Sequence, residues 1–150
     1  MAPVDVEVET VIHRPRSIVA AYAADPDNAT AWYVNIKGVR WKTPRPAALG
    51  SQFEFSAAFM GRTLTYTYEV VEFVADQRFV MRTTEGPFPM ETTYEWFDVD
   101  QHSTRMKLRN RGEPSGFSSI AAPMMALAMK RANTKDVKRL KAILEQEQLT

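Results

Sequence analysis

The chain has 150 residues, 45% hydrophobic and 25% charged, the composition of one folded domain rather than of a disordered or fibrous protein. Lys plus Arg number 19 and Asp plus Glu 18, and the resulting net charge of +1 supplies no global field to draw the chain onto nucleic acid or an anionic membrane. The sequence has no cysteine, which excludes disulfides, thiolate metal sites and thiol nucleophiles, and its two imidazoles, His13 and His102, cannot build a three-histidine zinc site.

Residues Met1 to Thr10 alternate acids with valines and carry neither the basic start nor the apolar core of a secretory signal. The most apolar stretch, Ile120 to Met129, falls well short of the roughly twenty residues that a spanning helix needs. A cytoplasmic location without membrane insertion is therefore expected.

Val4, Val6 and Val8 alternate with Asp5, Glu7 and Glu9, which predicts a strand with one wet face, ending at His13-Arg14-Pro15. Pro15 opens a short helix running to Ala24, expected to carry Ile18, Val19 and Tyr22 on its apolar face. Asp25-Pro26 punctuates it. A second short helix is expected from Asp27 toward Trp32 and Tyr33, then a strand over Val34 to Trp41 and a loop containing Pro44, Pro46 and Gly50.

From Ser51 to Glu113 the pattern is a series of strands. Phe53, Phe55, Ala57 and Phe59 share one parity, and Leu64, Tyr66, Tyr68 and Val70 share another. A two-residue hairpin loop at Gly61-Arg62 would pair Phe59 with Leu64, Ala57 with Tyr66 and Phe55 with Tyr68. A second hairpin turns around Asp100-Gln101. Pairing Val99 with Ser103 sets Trp96 opposite Met106 and Tyr94 opposite Leu108, with Glu95 facing Lys107 and Glu91 facing Arg111. The tail, from about Ser118 to Gln148, reads as a helix in which Val137, Leu140 and Leu144 recur at helical spacing. Pro123 either starts it after a loose turn at Ser118-Ser119-Ile120 or kinks a longer helix. With no repeat, low-complexity tract or linker, residues 1–150 read as a single domain.

One strand, two short helices, a long antiparallel meander and a long C-terminal helix make an α+β plan. That order resembles the helix-grip fold. The chain is similar to the START-like (SRPBCC) superfamily, which includes polyketide cyclases/dehydrases, the birch pollen allergen group and lipid-transfer domains. The resemblance covers essentially the whole chain. It rests on Val11-Ile-His-Arg-Pro-Arg-Ser-Ile-Val-Ala20, on Gly50-Ser51, on Phe59-Met-Gly-Arg62, on Glu85-Gly-Pro-Phe-Pro89 and on Leu140-Lys-Ala-Ile-Leu-Glu145. It implies a curved antiparallel sheet with the long helix packed across it over a hydrophobic cavity. It also implies use of that cavity for a small hydrophobic ligand and, in some branches, for cyclisation or dehydration. It carries over no catalytic residue.

The inward parity places Phe53, Phe55 and Phe59, then Tyr66 and Tyr68, then Phe79 and Met81 toward such a cavity. From the second hairpin come Met90, Tyr94, Trp96, Met106 and Leu108, and from the helix Met124, Met125 and Met129. Apolar walls with a few polar tips are how small-molecule pockets are lined, and although such a lining is more often plain core, the resemblance implies a real cavity. Tyr66, Tyr68 and Tyr94 are the polar candidates, since a buried phenol can donate to a ligand carbonyl or enolate. Counting by twos brings Glu72 inward as an acid or base. A β-bulge near Val70-Val71 would instead swap the parity, turn Val71 and Phe73 inward and leave Glu72 in water, and the neighbouring valines favour that bulge. The catalytic candidates are thus Tyr66, Tyr68 and Glu72, with no metal and no cofactor.

Nothing suggests serine-type hydrolysis or a glycosidase carboxylate pair, since no nucleophile elbow is present and Glu91 and Glu95 lie on the outer face. Arg105, Lys107, Arg109 and Arg111 form a basic row without aromatic platforms, read as a charge ladder rather than a nucleic-acid surface. The basic stretch Lys130 to Lys141, broken by Asp136, reads as the wet side of the last helix. An apolar patch from Trp32, Tyr33 or Trp41 would serve as a homodimer contact or as the cavity mouth. Binding of a small hydrophobic, aromatic or lipid-like molecule is the leading expectation. The alternatives are a metal-free polyketide cyclase/dehydrase-like enzyme using acid-base chemistry in the same cavity, and a protein-interaction or quinone-chaperone role.

Overall fold

A computed structural model describes residues 4–59, 61–113 and 121–147. In chain order the elements are β1 (Val4–Ile12), α1 (Arg16–Ala23), a 3-10 turn (Pro26–Asn28), α2 (Ala29–Trp32) and β2 (Ile36–Trp41). Then follow β3 (Gln52–Phe59), β4 (Arg62–Val74), β5 (Arg78–Glu85), β6 (Met90–Asp100), β7 (Ser103–Gly112) and α3 (Ala121–Glu147). The strands form one curled antiparallel sheet in the order β1-β7-β6-β5-β4-β3-β2. Each consecutive pair from β2 to β7 is a hairpin neighbour, and β1 closes the sheet against the last strand rather than the next one.

The period-two pattern of β1 is realised directly: Val4, Val6 and Val8 are buried while Asp5, Glu7 and Glu9 face water. The wet face is knitted to β7 by Asp5–Arg109 and Glu7–Lys107 pairs. Pro15 precedes α1 in extended conformation, as a residue before a helix start does. The apolar face of α1 differs from expectation at one position: Val19, Ala20 and Ala23 are buried, whereas Ile18 is 39% exposed. Small alanines let the short helix lie close to the sheet, which leaves Ile18 one residue short of the buried arc.

The first long hairpin keeps the expected face but not the expected pairing. Phe59 pairs with Arg62, Ala57 with Leu64, Phe55 with Tyr66 and Phe53 with Tyr68, two residues out from the register expected for a Gly61-Arg62 loop. Because side chains alternate with period two, a slip of two leaves Phe53, Phe55, Leu64, Tyr66 and Tyr68 all inward. Gly61 adopts φ +78°, so the left-handed glycine stands second in the connection rather than first. In β4 the register shifts between Val70 and Glu72, leaving Val71 as the extra residue, which is the bulge that the neighbouring valines favour.

The β6–β7 pairing follows the expected register from Asp98 inward, with Trp96 opposite Met106, Tyr94 opposite Leu108 and Glu91 opposite Arg111. Only its mouth differs. Asp100 pairs with Ser103 and Val99 is the bulged residue, so Val99 does not face Ser103.

α3 packs chiefly along β1 and touches α2. Its buried stripe comprises Met125, Met129, Asn133, Asp136, Val137, Leu140 and Leu144, spaced three and four apart as one helical face requires. Pro123 is the third residue of α3 as described. The turn expected at Ser118-Ser119-Ile120 lies outside the described residues. The C-terminal half of α3 is pinned to the end of β1, where Arg14 donates to the Leu144 carbonyl at 2.6 Å and Lys141 Nζ to that of Val11 at 2.7 Å. Among the described residues no helix is long and apolar enough to cross a membrane.

Candidate functional site

Between the concave face of the sheet and α3 lies a pocket of about 120 Å³. Its floor is built by the inward residues of five strands: Phe55 and Ala57 of β3, Leu64, Tyr66 and Tyr68 of β4, Met81 of β5, Met90 and Thr92 of β6, and Asn110 of β7. Met129, Ala132, Asn133 and Asp136 of α3 roof it, Tyr33, Asn35 and Ile36 close one end, and Phe88 leans in from the β5–β6 connection. The volume is comparable to the roughly 150 Å³ engineered cavity that takes up benzene and is below the about 300 Å³ where drug-sized sites begin. As shaped, the space suits a one-ring molecule or a short chain.

The pocket is apolar around Phe55, Leu64, Met81, Phe88, Met90 and Met129 and polar where β6, β7 and α3 meet. There the Thr92 hydroxyl donates to Asn110 Oδ1 at 2.5 Å, Asn110 Nδ2 donates to Asn133 Oδ1 at 2.9 Å, and Asn133 Nδ2 donates to Asp136 Oδ2 at 3.2 Å. The other Asp136 oxygen accepts the Val34 backbone N–H at 2.8 Å. Asp136 is only 2% exposed, and burial pushes its carboxyl up to about 6, against the opposing pull of the Val34 N–H, Asn133 and Arg139. Burial alone pushes the Tyr66 phenol up to about 12. Tyr68 is raised further by burial, offset in part by a hydrogen bond with Thr92. Tyr94 and Tyr33, whose hydroxyls lie 2.5 Å apart, are also raised by burial. All four phenols are therefore neutral and able to donate at physiological pH.

Of the residues expected to line a cavity, Phe55, Tyr66, Tyr68, Met81 and Met90 do so, joined by Met129. Phe53, Phe79, Tyr94, Trp96, Met106, Leu108 and Met125 are buried but do not border this pocket, and Phe79 and Trp96 border a wider groove on the α1 side instead. Phe79 stacks on Tyr94 with centroids 5.6 Å apart, and Phe53 packs on Phe55 at 5.2 Å. Met124 is on the outer face of α3, 64% exposed, so it does not approach the cavity. It lies one residue before Met125, and a step of about 100° around the helix separates the two faces. The side chain of Phe59 lies outside the described residues.

Glu72 is not in the pocket. The bulge leaves it partly in water, where Arg78 Nε binds it at 3.1 Å while the same guanidinium reaches Glu95 at 2.9 Å. Phe73, expected to turn inward with that bulge, reaches Phe79 edge-on at 5.6 Å but stays 39% exposed.

Five polar lining residues escaped the sequence reading: Asn35, Thr92, Asn110, Asn133 and Asp136. The same parity count that brings Met90 and Tyr94 inward brings Thr92 with them, and Asn110 follows Leu108 by two. Asp136 does not belong to the wet side of its helix, because Met129, Asn133, Asp136 and Leu140 follow one another at helical spacing on the buried stripe.

Other candidate surfaces resolve differently. Trp32 is 0% and Tyr33 8% exposed; Tyr33 closes one end of the pocket, and Trp41 packs on Phe53 and borders a wider groove. In the basic row, Arg109 binds Asp5, Arg111 binds Glu91 and Lys107 reaches Glu7. One aromatic does stand on that outer face: Phe97, with Arg105 and Lys107 over its ring at 5.7 and 5.6 Å. A wider groove of about 390 Å³ runs between α1 and the β4–β5 end, but its cations are engaged, Arg45 by Asp27 at 2.6 Å and Arg78 by Glu72 and Glu95. Among the described residues no group of three His, Cys, Asp or Glu could hold a metal ion.

A family model described as "Polyketide cyclase / dehydrase and lipid transport" matches residues 3–145. Among solved structures, a START superfamily protein from Mycobacterium smegmatis superposes with a TM-score of 0.83 at 16% identity, covering 97% of this chain and 99% of that one. The Zhui aromatase/cyclase from Streptomyces sp. R1128 gives 0.81 at 16% identity over 97% and 95%. Ginseng major latex-like protein from Panax ginseng gives 0.70 at 10% identity over 93% and 96%. At these identities the likeness is one of fold. Among curated proteins, none is similar enough in sequence to count as a match.

Proposed function

Since the chain belongs to the polyketide cyclase / dehydrase and lipid transport family, we propose that it binds a small hydrophobic molecule, aromatic or lipid-like, in the pocket beneath α3. The observation that carries this reading is the pocket's asymmetry: apolar and aromatic walls on most sides, and one corner of hydrogen-bonded polar side chains, Thr92, Asn110, Asn133 and Asp136. Apolar walls supply affinity by burying surface, and a few placed polar groups fix orientation. Native mass spectrometry of the protein as purified, compared with its denatured mass, tests it. A reproducible extra mass of a small molecule, lost when Ala132→Trp fills the pocket from the helix side, is the expected result. A bare protein that also fails to bind any aromatic or acyl probe overturns the reading.

A second reading, acid-base catalysis on the bound molecule, is favoured by Asp136. A carboxyl pushed to about 6 inside a pocket exchanges a proton readily near neutrality. Tyr66 and Tyr68 stand across the same space as neutral donors. Turnover of a polyketide-like substrate that disappears in Asp136→Asn while binding persists is the signature of this reading; binding without turnover in the unmodified protein rejects it.

A further inference from the structure

We infer that the outer face of α3 is a docking surface for an anionic membrane, on the reverse side of the helix from the pocket. The net charge of +1 conceals how unevenly the charge is placed. Met124, Arg131 and Lys138 follow one another at intervals of two helical turns, and Leu127 and Lys135 stand one turn before and one turn after Arg131. Together they form one outward line, with Lys130 and Arg139 to either side of it. All of them are exposed, Met124 at 64% and Leu127 at 52%. The side chains of Lys130, Arg131, Lys135, Lys138 and Arg139 make no ion pair or hydrogen bond with any described residue. Elsewhere the pattern is different: Arg16, Arg45, Arg78, Arg82 and Arg109 are each held by a carboxylate. Among the described residues of α3 no acid offsets the line. Asp136 belongs to the buried stripe, where the Val34 N–H and Asn133 hold it, and Glu145, beyond the last of these cations, is taken by Lys141 and the His13 backbone N–H.

Arg131, Lys135 and Lys138 rise over about 10 Å of helix axis, about one Debye length at 0.1 M salt, so an anionic surface feels them together. Each basic side chain near such a surface adds attraction, and Met124 and Leu127 at the N-terminal end of the line can bury their exposed surface at the boundary between headgroups and acyl chains. That combination selects among polyanions. A nucleic-acid backbone would meet the cations but give Met124 and Leu127 nothing to bury against, and the line has no aromatic ring on which a base could stack. A helix lying in the interface plane needs no spanning length. Met129, Ala132, Asn133 and Asp136 roof the pocket from the other side of the same turns, so docking holds the roof against the bilayer. The docking face itself stands on exposed residues and does not depend on a ligand in the pocket.

The test is flotation of the full chain with vesicles of phosphatidylcholine alone and of phosphatidylcholine with about one-third phosphatidylglycerol, at about 0.1 M and about 0.5 M NaCl. The expected result is partition onto the anionic vesicles at the lower salt, at least about tenfold weaker at the higher salt, and none onto phosphatidylcholine. Arg131→Gln combined with Lys135→Gln is expected to weaken partition about thirtyfold, as the loss of two surface cations implies. Met124→Ser combined with Leu127→Ser is expected to weaken it about tenfold at either salt. Arg105→Gln combined with Lys107→Gln removes the same charge from the outer face of the sheet, away from α3, and is expected to change partition less than about threefold. Absence of partition onto the anionic vesicles overturns the inference. An equal loss in the two charge variants does so too, because net charge rather than this face would then carry binding. Retention on heparin without partition onto the vesicles assigns the cations to a soluble polyanion and overturns it as well.

Discussion

The Asp136 carboxylate accepts the backbone N–H of Val34 at 2.8 Å, joining the middle of α3 to the lead-in of β2 across 102 residues of chain. This bond fixes the roof of the pocket against one end of it. Together with Asn133–Asn110 it ties α3 to both sides of the sheet, since β2 and β7 stand near opposite edges. A polar tie in so apolar a setting has a cost, and the cost is measurable.

Asp136 shifts from an ordinary 3.8 to about 6 in the folded protein. Between these values the native state holds a proton that the unfolded chain has released, so stability falls as pH rises through the window and the full cost is present above it. The displacement corresponds to about 3 kcal/mol. Urea unfolding at pH 4.5 and 7.5 is expected to show the unmodified protein gaining about 2 kcal/mol at the lower pH relative to Asp136→Asn. The ion-paired carboxylates Asp5, Asp27 and Glu91 are held below their usual range by Arg109, Arg45 and Arg82, so their contribution is lost only at more acid pH. Identical pH profiles for the two proteins would refute the burial of a titrating Asp136.

Gly86 packs against the face of Tyr66. A Cβ built there would stand 2.6 Å from Cδ1 and 3.3 Å from Cε1 of that ring. Gly86→Ala must therefore push the ring toward the pocket it lines, and the expected outcome is about tenfold weaker binding of ethylbenzene with about 1–2 kcal/mol of lost stability. NMR titration and thermal unfolding of the variant check both.

Two methionines expected to face the cavity separate cleanly by burial. Met106 is 0% and Met124 64% exposed. Met106→Ala is expected to cost about 2–5 kcal/mol through the void it leaves, and Met124→Ala to stay within about 0.5 kcal/mol of the unmodified protein. Denaturant midpoints of the pair decide the matter.

Glu72→Gln removes half of an exposed pairing with Arg78, which still holds Glu95. Stability is expected to change by less than about 1 kcal/mol and probe affinity not at all. Tyr68→Phe, by contrast, is expected to leave ethylbenzene binding intact while reducing that of 4-ethylphenol. A large effect of Glu72→Gln on ligand affinity would place Glu72 in the pocket rather than on the outer face beside Arg78.

The element order, the buried faces of β1, β6 and β7 and the inward set on β3 and β4 were all legible in the sequence, because strand alternation is a local rule of backbone geometry. The same rule made the reading tolerant of error: the β3–β4 pairing sits two residues from where the turn chemistry placed it, yet Phe53, Phe55, Leu64, Tyr66, Tyr68 and Val70 stayed inward. The bulge at Val71 was legible too, since two adjacent valines and a following phenylalanine cannot all obey one parity with an acid between them. Those signals also carried the resemblance that the family match supports.

What the sequence could not decide was which inward residues enclose space. Phe55 and Tyr68 line the pocket whereas Phe53 and Tyr94, also inward, are buried away from it. That division depends on where α3 and α2 come to rest, and contacts between elements far apart in sequence have no local pattern to announce them. Nor could it weigh Asp136, which in sequence is one acid among lysines and arginines. Its burial is a property of the helix's angle against β1 and β7, and its elevated carboxyl and hydrogen-bond chain exist only once Val34, Asn110 and Asn133 have been brought to it by the fold. Periodicity along a chain records which face of each element is apolar, while the chemistry of a site records which faces meet, and only tertiary packing makes them meet.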